Sequence, residues 1–323
     1  MTTREGPGSA TRKPRVFTPI FAYIETGFAR RCLPVIERAM RERCAVIAVS
    51  LPREGKSETL REFLRRHPVV VVAGRKHTDV LATRTPHAGS DKNALMYQLG
   101  SRLTPILRMS PSAYLTSLIG ATLLGGVTLV VIDDAHELTK AQRNWLREFV
   151  DLLLDPSDPK LTGVHVGVVY LAAGLPQGKQ NTALFAHGPT HGPTIDLDWL
   201  QFEGRLDGRE PVAWLPGLDL ADTAEALAGL EDLYRPAFPD LELVPYSEDL
   251  FAALLDDRID YAATGRVRMD SVVKCVLAAL SEDARTGGWG GDLGGPLARY
   301  AGVLAARPHD LDEFSFDRRG IED

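Results

Sequence analysis

Cysteine is scarce in this 323-residue chain: Cys32, Cys44 and Cys275 are odd in number and far apart. They exclude a disulfide framework and a CxxC metal pair. They read instead as reduced thiols packed like small hydrophobes in a cytoplasmic protein. Long hydrophobic runs are missing as well: no stretch reaches 18 consecutive apolar residues, so none reads as membrane-spanning. Residues 1–15 have no apolar core of a secretory signal. Their Gly, Ser, Thr and Pro with Arg4, Arg12, Lys13 and Arg15 read as a disordered basic arm.

A strong charge of one sign is also lacking, since the formal net charge is −6. That value excludes a uniformly basic nucleic-acid binder, yet it conceals a polarity. Residues 1–110 hold 20 Lys/Arg against 9 Asp/Glu, and residues 111–323 hold 17 against 34. A chain divided in this way is expected to have a charged partner for one half only.

What is present is a run of short apolar strands alternating with helices. Thr26–Arg43 has helical spacing, with Pro34 expected to break it in two. Ala45–Val49 reads as a buried strand, Lys56–Arg66 as a helix and Val69–Ala73 as a second buried strand. Ser110-Pro111 opens a helix to Leu124, and Val127–Ile132 is the third strand. A helix from Thr139 to Leu154, a strand over Val164–Ala172 and a fifth strand at Val212–Leu215 follow. After Leu218 only helices are expected, over Asp222–Tyr234, Glu248–Asp256 and Arg266–Ala284. The pattern predicts an α/β fold: a parallel five-stranded sheet with helices on both faces, followed by a small helical lid.

The first strand runs into Ser50-Leu51-Pro52-Arg53-Glu54-Gly55-Lys56-Ser57 and then a helix. The spacing is that of the phosphate-binding loop G-x-x-x-x-G-K-[ST], with Ser50 in place of the first glycine. Backbone N–H groups at a helix N-terminus cradle phosphates, and Gly55 permits their close approach. Lys56 supplies charge to the β- and γ-phosphates, and the Ser57 hydroxyl ligates Mg²⁺. Ser50, Arg53, Gly55, Lys56, Ser57 and Glu58 are therefore the candidate ATP contacts. The second half is Leu129-Val130-Val131-Ile132-Asp133-Asp134, an apolar strand ending in two carboxylates. Asp133 is expected to share the Mg²⁺ with Ser57, and Asp134 to orient or deprotonate the attacking water.

Ser50–Ser57, Asp133-Asp134-Ala135-His136-Glu137-Leu138, a fourth strand and a helical lid together resemble the AAA+ ATPases. The D-[DE]-x-H-x-L form and the modest length most resemble the TniB/TnsC transposition regulators, relatives of MuB. The resemblance implies an ATPase that oligomerises as a ring or filament on double-stranded DNA, selects targets, and serves a transposase and a target-selection protein. It implies that Arg266 is a lid arginine reaching the γ-phosphate. Arg205, or else Arg209, would be the finger donated to a neighbour's ATP. It places DNA contacts after the second strand, at Arg75, Lys76 and Lys92, where the basic excess lies. Leu171-Ala172-Ala173-Gly174 offers no polar side chain where the family carries one at the end of its fourth strand. With Ser50 and the short Asp134, that absence implies slow turnover, or ATP used as an assembly switch.

The expected domains are the arm at 1–15, an ATPase core with an N-terminal helical segment at 16–217, a lid at 218–286, and a Gly-rich linker with an acidic tail at 287–323. An alternative reading is a STAND- or Orc-like nucleotide switch that controls protein assembly without touching DNA.

Overall fold

A computed structural model describes residues 17–20, 22–50, 53–72, 75–86, 92–103, 111–154, 166–173, 212–255, 265–286 and 292–306. Contacts divide the chain into two compact units, one of Phe28–Pro216 and one of Met1–Gly27 with Gly217–Asp323.

The first unit is built on a parallel sheet of five strands. In chain order these are β1 (Ala45–Ser50), β4 (Val80–Arg84), β5 (Leu129–Asp133), β6 (Gly167–Ala173) and β7 (Val212–Trp214), arranged β4-β5-β6-β1-β7. The reason is compositional. AVIAVS, LVVID and GVVYLA are buried throughout, as strands covered on both faces must be. Alternate residues of β1 then serve two layers. Ala45, Ile47 and Val49 join Leu81, Val130, Ile132 and Tyr170 against Leu95, Leu99, Ile119, Leu146 and Phe149. Those last residues come from α3 (Lys92–Ser101), α4 (Pro111–Leu124) and α5 (Lys140–Leu154). Truncating Phe149 to alanine in that layer would cost about 3–5 kcal/mol. Elsewhere in the unit, α1 (Gly27–Glu42) and α2 (Lys56–Arg66) bury Cys32, Ile36, Ala39, Leu60 and Phe63. A Cβ on Gly167 would lie 2.1 Å from the Ala39 carbonyl oxygen, so α1 can approach β6 only because that residue is glycine.

Two expectations fail. Pro34 does not break α1, which runs unbroken from Gly27 to Glu42. Proline removes one backbone donor, but Phe28, Ala29, Cys32, Leu33, Ile36 and Ala39 on either side of it are all buried. Nor does the valine run at 69–73 enter the sheet. β2 (Val70–Val72) pairs antiparallel with β3 (Arg75–His77) in a separate two-stranded ribbon. Val69, Val70 and Val71 are 47%, 52% and 67% exposed. β-Branched residues favour strands whether or not they are buried, so the run marks a strand without saying which sheet receives it. The place beside β5 goes to β4, whose Val80, Leu81, Ala82 and Thr83 are buried.

The second unit is helical: α6 (Leu220–Tyr234), α7 (Ser247–Leu254), α8 (Met269–Thr286) and α9 (Gly294–Ala306). Asp219 caps α6 by accepting from the Asp222 N–H, while the Asp222 carboxylate accepts from the Asp219 N–H. Phe17 packs edge-on against Tyr234 and Phe238, and the Tyr234 hydroxyl donates to the Ile20 carbonyl at 2.7 Å. The start of the described chain thus belongs with this helical unit. No helix among the described residues is long and apolar enough to cross a membrane.

Candidate nucleotide-binding site

In a parallel sheet the carboxyl ends of the strands share one edge, and ligands bind in the crevice outside it. Here β1 and β6 are in register with Ser50 opposite Ala173, while β5 ends with Asp133 opposite Arg84 of β4. The phosphate loop and the carboxylate pair therefore reach the same edge, two strands apart.

The loop after β1 turns through left-handed residues at Arg53 (φ +66°) and Gly55 (φ +103°). Such a backbone turns successive N–H groups to one side, making an anion-binding concavity. Gly55 is the N-cap of α2 and has no side chain to cap it, which leaves the first-turn N–H groups to a phosphate. Lys56 is buried, and its ammonium donates to the Ser50 hydroxyl at 2.6 Å. Burial pushes Lys56 below its ordinary range, against the opposing pull of Glu54 and Asp133. The serine standing where glycine is usual thus seats the lysine. Cys32 of α1 lies close enough to feel the Lys56 charge, and its burial pushes the thiol up to about 12. It stays protonated and inert, as does Cys275 of α8, while Cys44 is only half-buried.

At the end of β5 the Asp133 carboxylate lies within the influence of the Ser57 hydroxyl. Burial raises Asp133 above its ordinary range, and the nearby Ser57 hydroxyl opposes that rise. A hydroxyl from the loop thus lies near a carboxylate from a strand two places away. Among the described residues no group of three His, Cys, Asp or Glu could hold a metal by itself. The donor set suits Mg²⁺, which takes one or two protein oxygens and completes its shell with phosphate and water. The Asp133 carbonyl accepts from both the N–H and the hydroxyl of Thr85, at 2.9 and 3.0 Å.

Asp134 follows in a left-handed conformation (φ +52°). Arg84 Nε donates to its Oδ2 at 2.5 Å. That bond, made from a side chain 69% exposed, holds Arg84 above its ordinary range. Beyond it, Nδ1 of the half-buried His136 accepts from the Ala173 N–H at the end of β6, at 3.2 Å. Neither Arg84 nor Thr85 was among the candidates read from the sequence. Their only signal is a place at the end of the strand beside β5, hidden while the valine run held that place.

The other candidates are placed as follows. Glu58 pairs with Arg61 on the outer side of α2. Lys76 is exposed on β3 and donates to the Ser101 carbonyl at 3.3 Å. Arg75 lies on β3 and Lys92 begins α3. Arg266 donates to Asp219 Oδ2 at 2.6 Å, within the helical unit. Arg205 and Arg209 lie outside the described residues.

The loop, the strand order and the carboxylates at the end of β5 define a P-loop nucleotide-binding domain of AAA+ architecture. Residues 41–169 match the family model described as an AAA domain. The match is to AAA domains at large and does not reach the transposition-regulator branch. No curated protein matches the chain. Solved structures similar to it include the following two, each at 13% identity with a TM-score of 0.49. One is Hsp104 in a closed state with ATPγS and FITC casein, over 89% of this chain and 44% of that one. The other is the ORC2 protein of Aeropyrum pernix in ADPNP and ADP complexes, over 92% and 72%. The chain thus spans less than half the length of the Hsp104 chain.

Proposed function

We propose that this protein is an ATPase that binds MgATP at the Ser50–Ser57 loop, assembles with copies of itself on duplex DNA, and hydrolyses slowly. The observation that carries the nucleotide half is that both ends of the motif reach one edge of the sheet, where Lys56 donates to Ser50 at the end of β1 and Asp133 ends β5 two strands away. Lys56 neutralises the β- and γ-phosphates, and Ser57 with Asp133 holds Mg²⁺. The metal ion supplies charge neutralisation to the transferring phosphoryl group. Water attacks the γ-phosphorus, the bond to the β,γ-bridging oxygen breaks, and the proton of the water passes to Asp134. Arg84 is bonded to Oδ2, one of the two carboxylate oxygens of Asp134. An engaged base fits slow turnover and an ATP-bound state that persists long enough to organise an assembly.

Duplex DNA is the partner chosen for the basic front. Residues 1–110 carry the whole positive excess, and Lys76 is exposed on a ribbon that stands apart from the sheet. Arg75, Lys76 and Lys92 then contact phosphates rather than bases, and binding is independent of sequence. Arg266, and Arg205 of a neighbouring copy, complete the ATP site on this reading. The resemblance to transposition regulators extends it to a transposase and a target-selection protein as partners. The test is a gel shift on unrelated duplexes with ATP, ADP or no nucleotide, over a range of salt. An ATP-dependent, salt-sensitive shift on every duplex is expected, and no shift at low salt with ATP overturns the DNA reading.

A second reading is favoured by the Arg84–Asp134 pair itself: a nucleotide switch with a restrained base that gates protein contacts alone. ATP-dependent oligomers that form without DNA and ignore it would decide for that reading.

A further inference from the structure

The central strand β6 ends on the edge where the nucleotide binds, between the Lys56 loop and the Asp133-Asp134 pair, yet its last residues are Leu171-Ala172-Ala173. None of these side chains can hydrogen-bond a phosphate. The structure brings a polar group there from another element. His136, in the short 3-10 turn Ala135–Glu137 after β5, accepts the Ala173 N–H at Nδ1, 3.2 Å away. Ala173 is in register with Ser50, whose hydroxyl receives the Lys56 ammonium. The imidazole is therefore anchored one strand from the lysine that meets the γ-phosphate.

The anchoring bond also sets the tautomer. A nitrogen that accepts an N–H carries no proton, so the proton of the neutral ring is on Nε2 and faces away from β6. Burial keeps the ring neutral by lowering its basicity, against the pull of Asp134, Glu137 and Asp133, while Lys56 adds to the lowering. Those same charges put the ring in the field of the catalytic groups.

We propose that His136 reads the terminal phosphate of ATP, donating from Nε2–H at the end of β6 where the strand has no polar side chain of its own. The inference rests on the ATP reading above and adds to it the group that distinguishes ATP from ADP.

The test measures affinities for ADP and for ATPγS, each with Mg²⁺, in the full-length protein and two variants. His136→Asn keeps an acceptor at the position of Nδ1 and so can keep the bond to Ala173, but it has no donor at the distance of Nε2. His136→Ala loses both. A donor removed from a charged acceptor costs roughly 10-fold in affinity or more. ADP affinity is expected to stay within about 2-fold in His136→Asn, while ATPγS binding weakens about 10-fold. A His136→Asn protein that prefers ATPγS as the parent does overturns the proposal and leaves the ATP site standing, with His136 only tying the turn to β6. A parent that binds neither nucleotide overturns the ATP reading and this inference together. Should the variants fail to fold, ¹⁵N-histidine spectra of the parent decide. The His136 Nε2 resonance is expected to move with ATPγS and not with ADP, and equal movement with both sinks the proposal.

Discussion

The two strand ends that make the site are held in opposite ways. After β1, Lys56 is seated by Ser50, six residues away, in a loop that turns directly into α2. After β5, local turn bonds such as the one from the Asp134 N–H to Asp133 Oδ1 are joined by supports from distant parts of the chain. Thr85 is 48 residues from Asp133, Arg84 is 50 from Asp134, and Ala173 is 37 from His136. The first end is a cradle formed by a short segment, and the second exists only once β4, β5 and β6 lie side by side. An anion site can be local because backbone N–H groups of one turn suffice. A catalytic carboxylate must be oriented from several sides, and only a sheet edge brings several strands to one point.

The largest effect is expected where the local cradle is broken. Lys56→Ala removes the charge proposed to meet the β- and γ-phosphates, and ATP affinity should fall by about 100-fold or more, measured by calorimetry. An unchanged affinity would show that the loop does not hold phosphates. The distant end should respond differently. Asp134→Asn keeps ATP-dependent assembly while turnover drops by about 10²–10⁴, the span of a general base. Equal loss of binding in both variants would erase the distinction between a binding end and a chemical end.

How much was legible follows the same division. Four of the five strands of the sheet, the helix α2 and the Gly55-Lys56-Ser57 turn into it could be read because each is specified by contiguous residues. Asp133 and Asp134 were readable as the end of an apolar strand. Their supports were not, because Arg84 and Thr85 acquire a role only from the register of β4 on β5. A valine run resembled the second strand better than Val-Leu-Ala-Thr-Arg did. Propensity marks β2 as extended, but which strand lies beside β5 is decided by packing. The polar group at the end of β6 was hidden for the same reason. His136 stands in the sequence beside the carboxylates, and only the fold turns it onto Ala173.

Smaller effects probe the two ends at their margins. Charge reversal of Arg75 and Lys76 together should weaken binding to all duplexes and flatten the salt dependence by about two phosphate contacts, since each contributes a slope of about 0.9. A loss confined to one DNA sequence would contradict phosphate contact. Arg84→Ala frees the Asp134 oxygen. Because Arg84 is largely exposed, its ion pair is screened, and steady-state ATPase should rise only about 2- to 5-fold. A fall in turnover would instead make Arg84 a group that positions the base for the reaction.

The smallest effect lies in the seat of Lys56. Ser50→Ala removes the hydroxyl that receives a buried ammonium at 2.6 Å. Without nucleotide the variant should melt a few degrees lower, as loss of about 1–2 kcal/mol implies for a unit of this size. With saturating MgATP the phosphates take over the ammonium, so the serine matters less and the deficit should shrink. Nucleotide therefore raises the melting temperature of Ser50→Ala by more than it raises that of the parent, read by thermal unfolding with and without MgATP. An equal deficit in both states would mean that Lys56 keeps its bond to Ser50 when ATP is bound. The loop would then be a fixed cradle, with no lysine to hand over from serine to phosphate.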